Sequence, residues 1–575
     1  ATADCPPRIP DQLFKDSLTK MPAALFWRGE REAGVELAAE LAAKTEITPE
    51  QRLSLADFYL GIESGAAAKQ LAEAVIATDP NMPAAYQALG LAERIDFRLD
   101  EAAAAYAKAL ELDPESVTSR RGLAEMKRAL GKPDEAVELY RQILAKDETS
   151  IPAETGLILS LFEDGKRAEA ESAMNRSLES NPGNVMLLAG AAYWYAAHGE
   201  GSNAILFAGL GNHLELVRAI AADPLFIWSH IALARGYMAE KQPLDAERVL
   251  LAARRYGNFP TLEYEIASAR AMAGYFREAA EELTKSFLVS DGVVRTKLGG
   301  RIVSESKDFT DLISLERRAS ISAPVAADTP ENAAELRELL SFWQKINNRD
   351  TPPEALSKAA DAFVGGDDKM KFHREIFAAK EMLERKEDLP KVLELSRGLI
   401  GQAEAALDVP SPSAAVMADE LYDTRRLAVT RGEYIRAPDV PSATLLNILR
   451  GRIEDLNGRA LFETDNAAEA VVRLKRAVSI LPRGSSWWKT SSWRLGAAYE
   501  ADGKGADALD AYIGSYKIGQ PDAINYSVIA SLYRRLNGSL EGLEAKIGPN
   551  PAVAANGQPP TVRSLGEVPI VRTFP

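Results

Sequence analysis

Alanine returns at a fixed interval in the first third of this chain, at Ala68, Ala102, Ala136 and Ala170, each 34 residues from the last. Proline keeps the same beat: Pro80, Pro114 and Pro182 are separated by 34 and 68 residues, and Glu148 fills the slot between. Gly131, Gly165 and Gly199 form a third series in step. A period of this length holds one helix–turn–helix unit, which cannot bury its apolar face alone and must stack on its neighbours. The small residues let the two helices of a unit approach closely. The proline after the second helix cannot continue it, so the chain turns.

One unit shows the full pattern. Counting from Pro83, Tyr86, Leu89, Gly90, Ala102, Tyr106, Ala109 and Pro114 stand at offsets 4, 7, 8, 20, 24, 27 and 32. This resembles the tetratricopeptide repeat family, whose pattern is aromatic-x2-Leu-Gly, then Ala-x3-aromatic, then Pro. The resemblance implies an all-α fold, a superhelix (α-solenoid) of antiparallel helix pairs. The signature returns late in the chain, where Ala470, Leu474, Ala477 and Pro482 take offsets 20, 24, 27 and 32 from Gly451. The next unit carries Leu495, Gly496 and Tyr499, then Ala508 and Tyr512.

Between these stretches the rhythm loosens. Pro224 lies 42 residues after Pro182, eight more than the period, and the surplus is assigned to FAGLGNHLELVRAIAADP. The segment SAPVAADTPENAAEL has the small, polar composition of a linker. The expected organisation is an extended arm over 1–20, a repeat array over 21–290 and an irregular linker over 291–330. Degenerate helical hairpins follow over 331–445, repeat units and a capping helix pair over 446–547, and an extended Pro/Gly-rich tail over 548–575. The stretch SLYRRLNGSLEGLEAKIG is similar to the end of the repeat region in bacterial exported proteins that carry a redoxin domain. That resemblance implies a retained scaffold only, since redoxin chemistry needs cysteines and none follows Cys5.

Composition removes several function classes. The formal net charge is −15, opposite in sign to a surface that displaces phosphate counterions, so no nucleic acid partner is expected. A single cysteine, Cys5, permits no intrachain disulfide and no thiolate metal cluster. The four histidines (His198, His213, His230 and His373) include no pair at metal-ligand spacing, and neither metal nor cofactor is expected. The longest apolar run, VMLLAGAAYWYAA, is too short to span a bilayer and predicts a buried helix. The opening ATADCPPRIP has the character of a mature chain after signal-peptide removal, giving a periplasmic or extracellular expectation.

Motifs with chemistry are sparse. GLGNH, residues 209–213, lacks the Gly-Lys-Ser/Thr of a phosphate loop and reads as a break in a helical hairpin. VGGDDK, residues 364–369, lacks the alternating ligands and closing Glu of a calcium loop and reads as an interhelix turn. His198, just before Gly199, reads as helix-end packing. No catalytic residues are expected.

The family resemblance implies a concave binding groove lined by offsets 2, 5, 9, 12 and 13 of each first helix. Carried onto this sequence, those offsets include Gln87, Arg94, Arg121 and Arg128, a local basic patch suited to an acidic peptide. The family's carboxylate clamp needs Lys at offset 5 and Asn at offset 9. Here those places hold Gln87 and Leu91, or Arg121 and Glu125, so no clamp is expected. In the unit containing SSWWKTSSWRLGAAYE, Thr490, Trp493 and Glu500 take offsets 2, 5 and 12, while Trp487 and Trp488 read as packing against the preceding unit. The resulting expectation is a non-catalytic scaffold with protein partners in an exported complex. A carbohydrate- or small-molecule-handling protein, with a site in residues 290–450, is the alternative.

Overall fold

The computed structural model describes residues 19–208, 219–296, 306–320, 330–518 and 521–554. Cys5, the GLGNH stretch and most of the two ends lie outside these residues. The periodicity becomes geometry without adjustment. First helices begin at Pro49, Pro83, Val117, Ile151 and Val185, and second helices at Gly65, Leu99, Pro133, Arg167 and Gly201. Each series steps by 34 residues.

The turn inside each hairpin keeps the same register. Glu63, Phe97, Gly131, Gly165 and Gly199 all have positive φ, between 57° and 75°. A left-handed residue ends the first helix and aims the chain back along it. Two of the five turns carry a side chain there, at some cost in backbone strain. Helix starts are fixed by local chemistry: Pro49 and Pro83 sit in the first turn, and Thr48 closes a capping box with Gln51.

The close approach of the helices is visible atom by atom. A Cβ built on Gly90 would lie 2.9 Å from the Tyr106 ring, and one on Gly122 would lie 2.5 Å from the other edge. Tyr106 is thus held between a glycine of its own unit and a glycine of the next. Gly156 does the same for Tyr140, at 2.2 Å, and Gly496 for Tyr512, at 2.6 Å. The expected small residue at offset 8 is only half of this device; the glycines at offset 6, Gly122 and Gly156, receive the tyrosine of the preceding unit.

The chain forms two compact units. The first comprises Ala1–Glu240, Ala253–Glu263 and Ser290–Ala333; the second comprises Lys241–Ala252, Tyr264–Val289 and Ala334–Pro575. In the first unit, the apolar run is the helix Val185–Ala197, with every residue from Leu187 to Tyr195 buried. His198 caps it: its ring stacks on Trp194 at 4.0 Å, and Nδ1 lies 2.8 Å from the Trp194 carbonyl. The 42-residue step separates Val185 from Ile227, the next first helix. Within the segment read as linker, Thr310–Ala319 is a helix whose Leu315 packs against the cluster around Tyr106 and Leu123.

In the second unit, VGGDDK joins the helices Pro353–Val364 and Lys371–Arg385. Asp367 is exposed, whereas Asp368 accepts from the buried Arg374 guanidinium at 2.9 Å. Gly451, where the returning signature was counted from, lies inside a longer helix, Ser442–Glu463. The described residues also contain two four-residue strands, Phe287–Ser290 and Val293–Thr296, joined by a turn at Asp291 and Gly292. The architecture is otherwise all-α.

The second unit has a charged interior. Arg425 bridges Glu247 at 2.6 Å and Glu278 at 2.8 Å, and lies 3.8 Å over the Tyr275 ring. Arg270 joins Glu247 and Glu282 at 2.8 and 2.9 Å. Burial works against the Glu247 carboxylate, but Arg425 and Arg270 outweigh it and hold its pKa below the ordinary value.

Candidate functional site

Five successive first helices, starting at Pro49, Pro83, Val117, Ile151 and Val185, line a groove of about 700 Å³ in the first unit. Its apolar lining includes Leu53, Leu60, Leu91, Ile151 and Met186. Gln87, Arg94 and Arg121 all line it, Arg94 about two helical turns after Gln87 and Arg121 one repeat after it. Gln87 donates through Nε2 to Ser119 Oγ at 2.9 Å and Ser116 Oγ at 3.1 Å, which ties two adjacent repeats together.

The arginines are not bare. Arg94 Nη1 lies 3.4 Å from Glu125, and Arg121 Nε lies 3.6 Å from the same carboxylate. Both distances are long for charge-assisted contacts. Burial pushes the Glu125 carboxyl above its usual pKa, against the pull of Arg94, Arg121 and Arg128. Burial also raises Asp57, on the same groove. Two guanidinium groups therefore share the groove with two carboxyls whose ionisation burial opposes.

Arg128 stands apart from this group. Only 4% of its side chain is exposed, and Nε donates to Glu163 at 3.1 Å. It lines a smaller, nearly filled space with Glu125 and the end of the 310–319 helix, at Arg318 and Ser320. Its offset is the same as that of Arg94, but the local packing is not.

The C-terminal trio divides as well. Trp493 is half-buried, with its ring 4.5 Å from Tyr512 in the cluster containing Tyr516 and Ile529. Glu500 accepts from Tyr512 Oη at 3.3 Å and pairs with Arg535. Thr490 is exposed and lines a different space, a cavity of about 200 Å³ shared with Trp487 and Ser491. Trp487 packs against Phe372, Leu445 and Ile448, and Trp488 reaches toward Gly514, its Cη2 3.8 Å from where a Cβ there would lie.

A family model described as tetratricopeptide repeat matches residues 95–154, which include the Tyr106–Gly122 contact and Tyr140. The chain carries tetratricopeptide repeats. No curated protein matches it. Among solved structures, a tetratricopeptide repeat protein from Parabacteroides merdae is 17% identical, covering 41% of this chain and 91% of its own, with a TM-score of 0.32. The P58(IPK) TPR domain is 13% identical over 86% of this chain and 99% of its own, with a TM-score of 0.34. The Naa15/Naa10 structure bound to HypK-THB is 14% identical over 94% and 79%, with a TM-score of 0.25. No helix among the described residues is long and apolar enough to cross a membrane.

The repeat offsets found Gln87, Arg94 and Arg121 because a helix face is a local property. They could not reveal Glu125 as the shared partner of both arginines, nor the Glu163 that takes Arg128 out of the groove.

Proposed function

We propose that this chain is a non-catalytic scaffold that seats an extended, acidic protein segment in the groove of its first unit and holds it within a larger assembly. The observation that carries this reading is the convergence of Arg94 and Arg121 on one groove with an apolar lining. A partner carboxylate arriving there offers each guanidinium a closer acceptor than Glu125 does. Apolar partner side chains have Leu53, Leu60 and Met186 to pack on. The five-helix span suits an extended segment rather than a compact ligand.

The test is recovery of a stoichiometric partner when the full chain is isolated from its native source, with mass spectrometry to identify it. The expected result is a partner retained by the wild type, lost on Arg94→Glu plus Arg121→Glu, and weakened as salt is raised. Isolation as a lone monomer, or retention by the double variant, overturns the reading. Placement of the assembly outside the cytoplasm belongs to the same proposal, and fractionation of the native cells checks it.

A further inference from the structure

The cavity of about 200 Å³ in the second unit is built from charged side chains that are paired, with the exception of two. Asp419 accepts from Lys380 at 2.6 Å and also pairs with Arg452. Asp455 accepts from Ser491 Oγ at 2.7 Å and pairs with Arg494. Glu384 lies 3.6 Å from Lys380. Arg459, on the same cavity, makes no hydrogen bond or ion pair among the described residues. Burial and the neighbouring Arg494 both weaken its hold on its proton. Glu420 also lines the cavity, and its Oε2 is buried without a hydrogen-bond partner.

A second group points to the same need. Trp487 lines the cavity, and its indole Nε1–H is buried with no acceptor. An indole N–H can only donate, and a guanidinium can only donate. Leaving such donors unpaired away from bulk water is unfavourable, and native structures satisfy nearly all of them. Both donors lack an acceptor atom from the described residues, and the Trp487 Nε1–H is the one closed off from solvent. The first turn of the helix Ser486–Ala501 also borders the cavity, adding the positive end of its dipole.

We propose that this cavity binds a small, free monocarboxylate, whose oxygens accept from the Arg459 guanidinium and the Trp487 indole N–H. Among the described residues, four cations and four carboxylates line the cavity, so a monoanion adds one negative charge to a balanced set and meets it with the unpaired Arg459. A phosphate dianion would meet Asp419, Glu420 and Asp455 in the same space. The hydrocarbon part of the acid has Ile376, Ile453, Leu456 and Leu481 to lie against. The volume limits the ligand to a few non-hydrogen atoms, since a water occupies roughly 30 Å³ in the liquid. None of the cavity's residues lines the groove of the first unit, so this site is independent of the peptide-binding reading.

The experiment is calorimetric titration of the full chain with isovalerate, with its neutral isostere isovaleramide, with inorganic phosphate, and with N-acetyl-Ala-Ala-Leu. Isovalerate is expected to bind, and isovaleramide and Arg459→Gln each to lower affinity by about tenfold or more, as expected for loss of a charge-assisted contact. Trp487→Phe keeps an aromatic ring but removes the donor, and is expected to weaken binding by about three- to tenfold with the chain still folded at the assay temperature. No binding of isovalerate, equal binding of the amide, or affinity unchanged in both variants overturns the proposal. Tighter binding of phosphate or of the peptide also overturns it, and assigns the donors to a dianion or to a protein terminus instead.

Discussion

Replacing Gly156 by alanine adds one carbon at a helix position where alanine is otherwise the better residue. On propensity alone the change would stabilise the helix Ile151–Glu163 by up to about 1 kcal/mol. The tertiary structure reverses the sign. The new Cβ would lie 2.2 Å from Tyr140 Cζ and 2.4 Å from Cε1, where ordinary carbon contacts are about 3.5–4.0 Å. The Tyr140 ring must therefore withdraw by more than an ångström. It is 1% exposed and packed with Ala124, Ala136, Ile143 and Ala153, so there is no open side to move toward. Overpacking of this kind costs about 1–3 kcal/mol. A clash with a rigid buried ring belongs at the upper end, so the net expectation is a destabilisation of about 2 kcal/mol. Gly61→Ala is the control, because a Cβ there meets nothing within 4 Å; it is expected to be neutral or stabilising. The assay is urea denaturation followed by circular dichroism, with hydrogen exchange of peptides covering 133–163 to localise the loss. Tyr140→Leu in the Gly156→Ala background should recover part of the loss, giving a coupling energy between the two sites. Gly156→Ala as stable as the wild type, or strictly additive effects in the double variant, would refute tyrosine–glycine stacking as the device that joins successive repeats.

Other perturbations test the remaining elements. Arg425→Met is expected to destabilise the second unit by about 3 kcal/mol in urea titrations, because Glu247 and Glu278 stay buried with Arg270 as their remaining cation. The Glu163 carboxyl is raised by burial to about 7 in the fold, despite the pull of Arg128. Unfolded, it titrates near about 4.3. The folded state therefore binds the extra proton between these values, and its contribution is full below the unfolded pKa and lost as pH rises through about 7. The stability difference between wild type and Glu163→Gln should fall over that window by at most about 1.4 kcal/mol per pH unit, and a flat difference contradicts the assignment. For Trp493→Ala, the contact with Tyr512 predicts a loss of about 2 kcal/mol in thermal melting, below the cost of truncating a fully buried aromatic because the ring is half-buried. Unchanged melting with lost partner binding would instead make Trp493 a partner contact.

Much of this architecture is legible in the sequence because it is local. The spacing of Ala68, Ala102, Ala136 and Ala170 requires a helix hairpin of fixed length, and Gly131, Gly165 and Gly199 place its turn. Offsets then put Gln87, Arg94 and Arg121 on one face, and that face lines the groove. The same arithmetic treats Arg94 and Arg128 as equivalent, since both occupy offset 12. Only the packing of Glu163 against Arg128, thirty-five residues away, separates them.

The sequence by itself determined the unit: its length, its two helices, its turn, and which residues must be small. The tertiary structure decided everything that depends on pairing between residues far apart in the chain. Arg425 meets Glu247 across 178 residues, the second edge of Tyr106 meets a glycine of the next repeat, and Arg459 has no partner among the described residues on a cavity where Asp419, Asp455 and Arg494 are paired. A periodic pattern specifies the direction in which a side chain leaves its helix. Which charges cancel there depends on what the neighbouring helices bring to the same point, and no local rule carries that information.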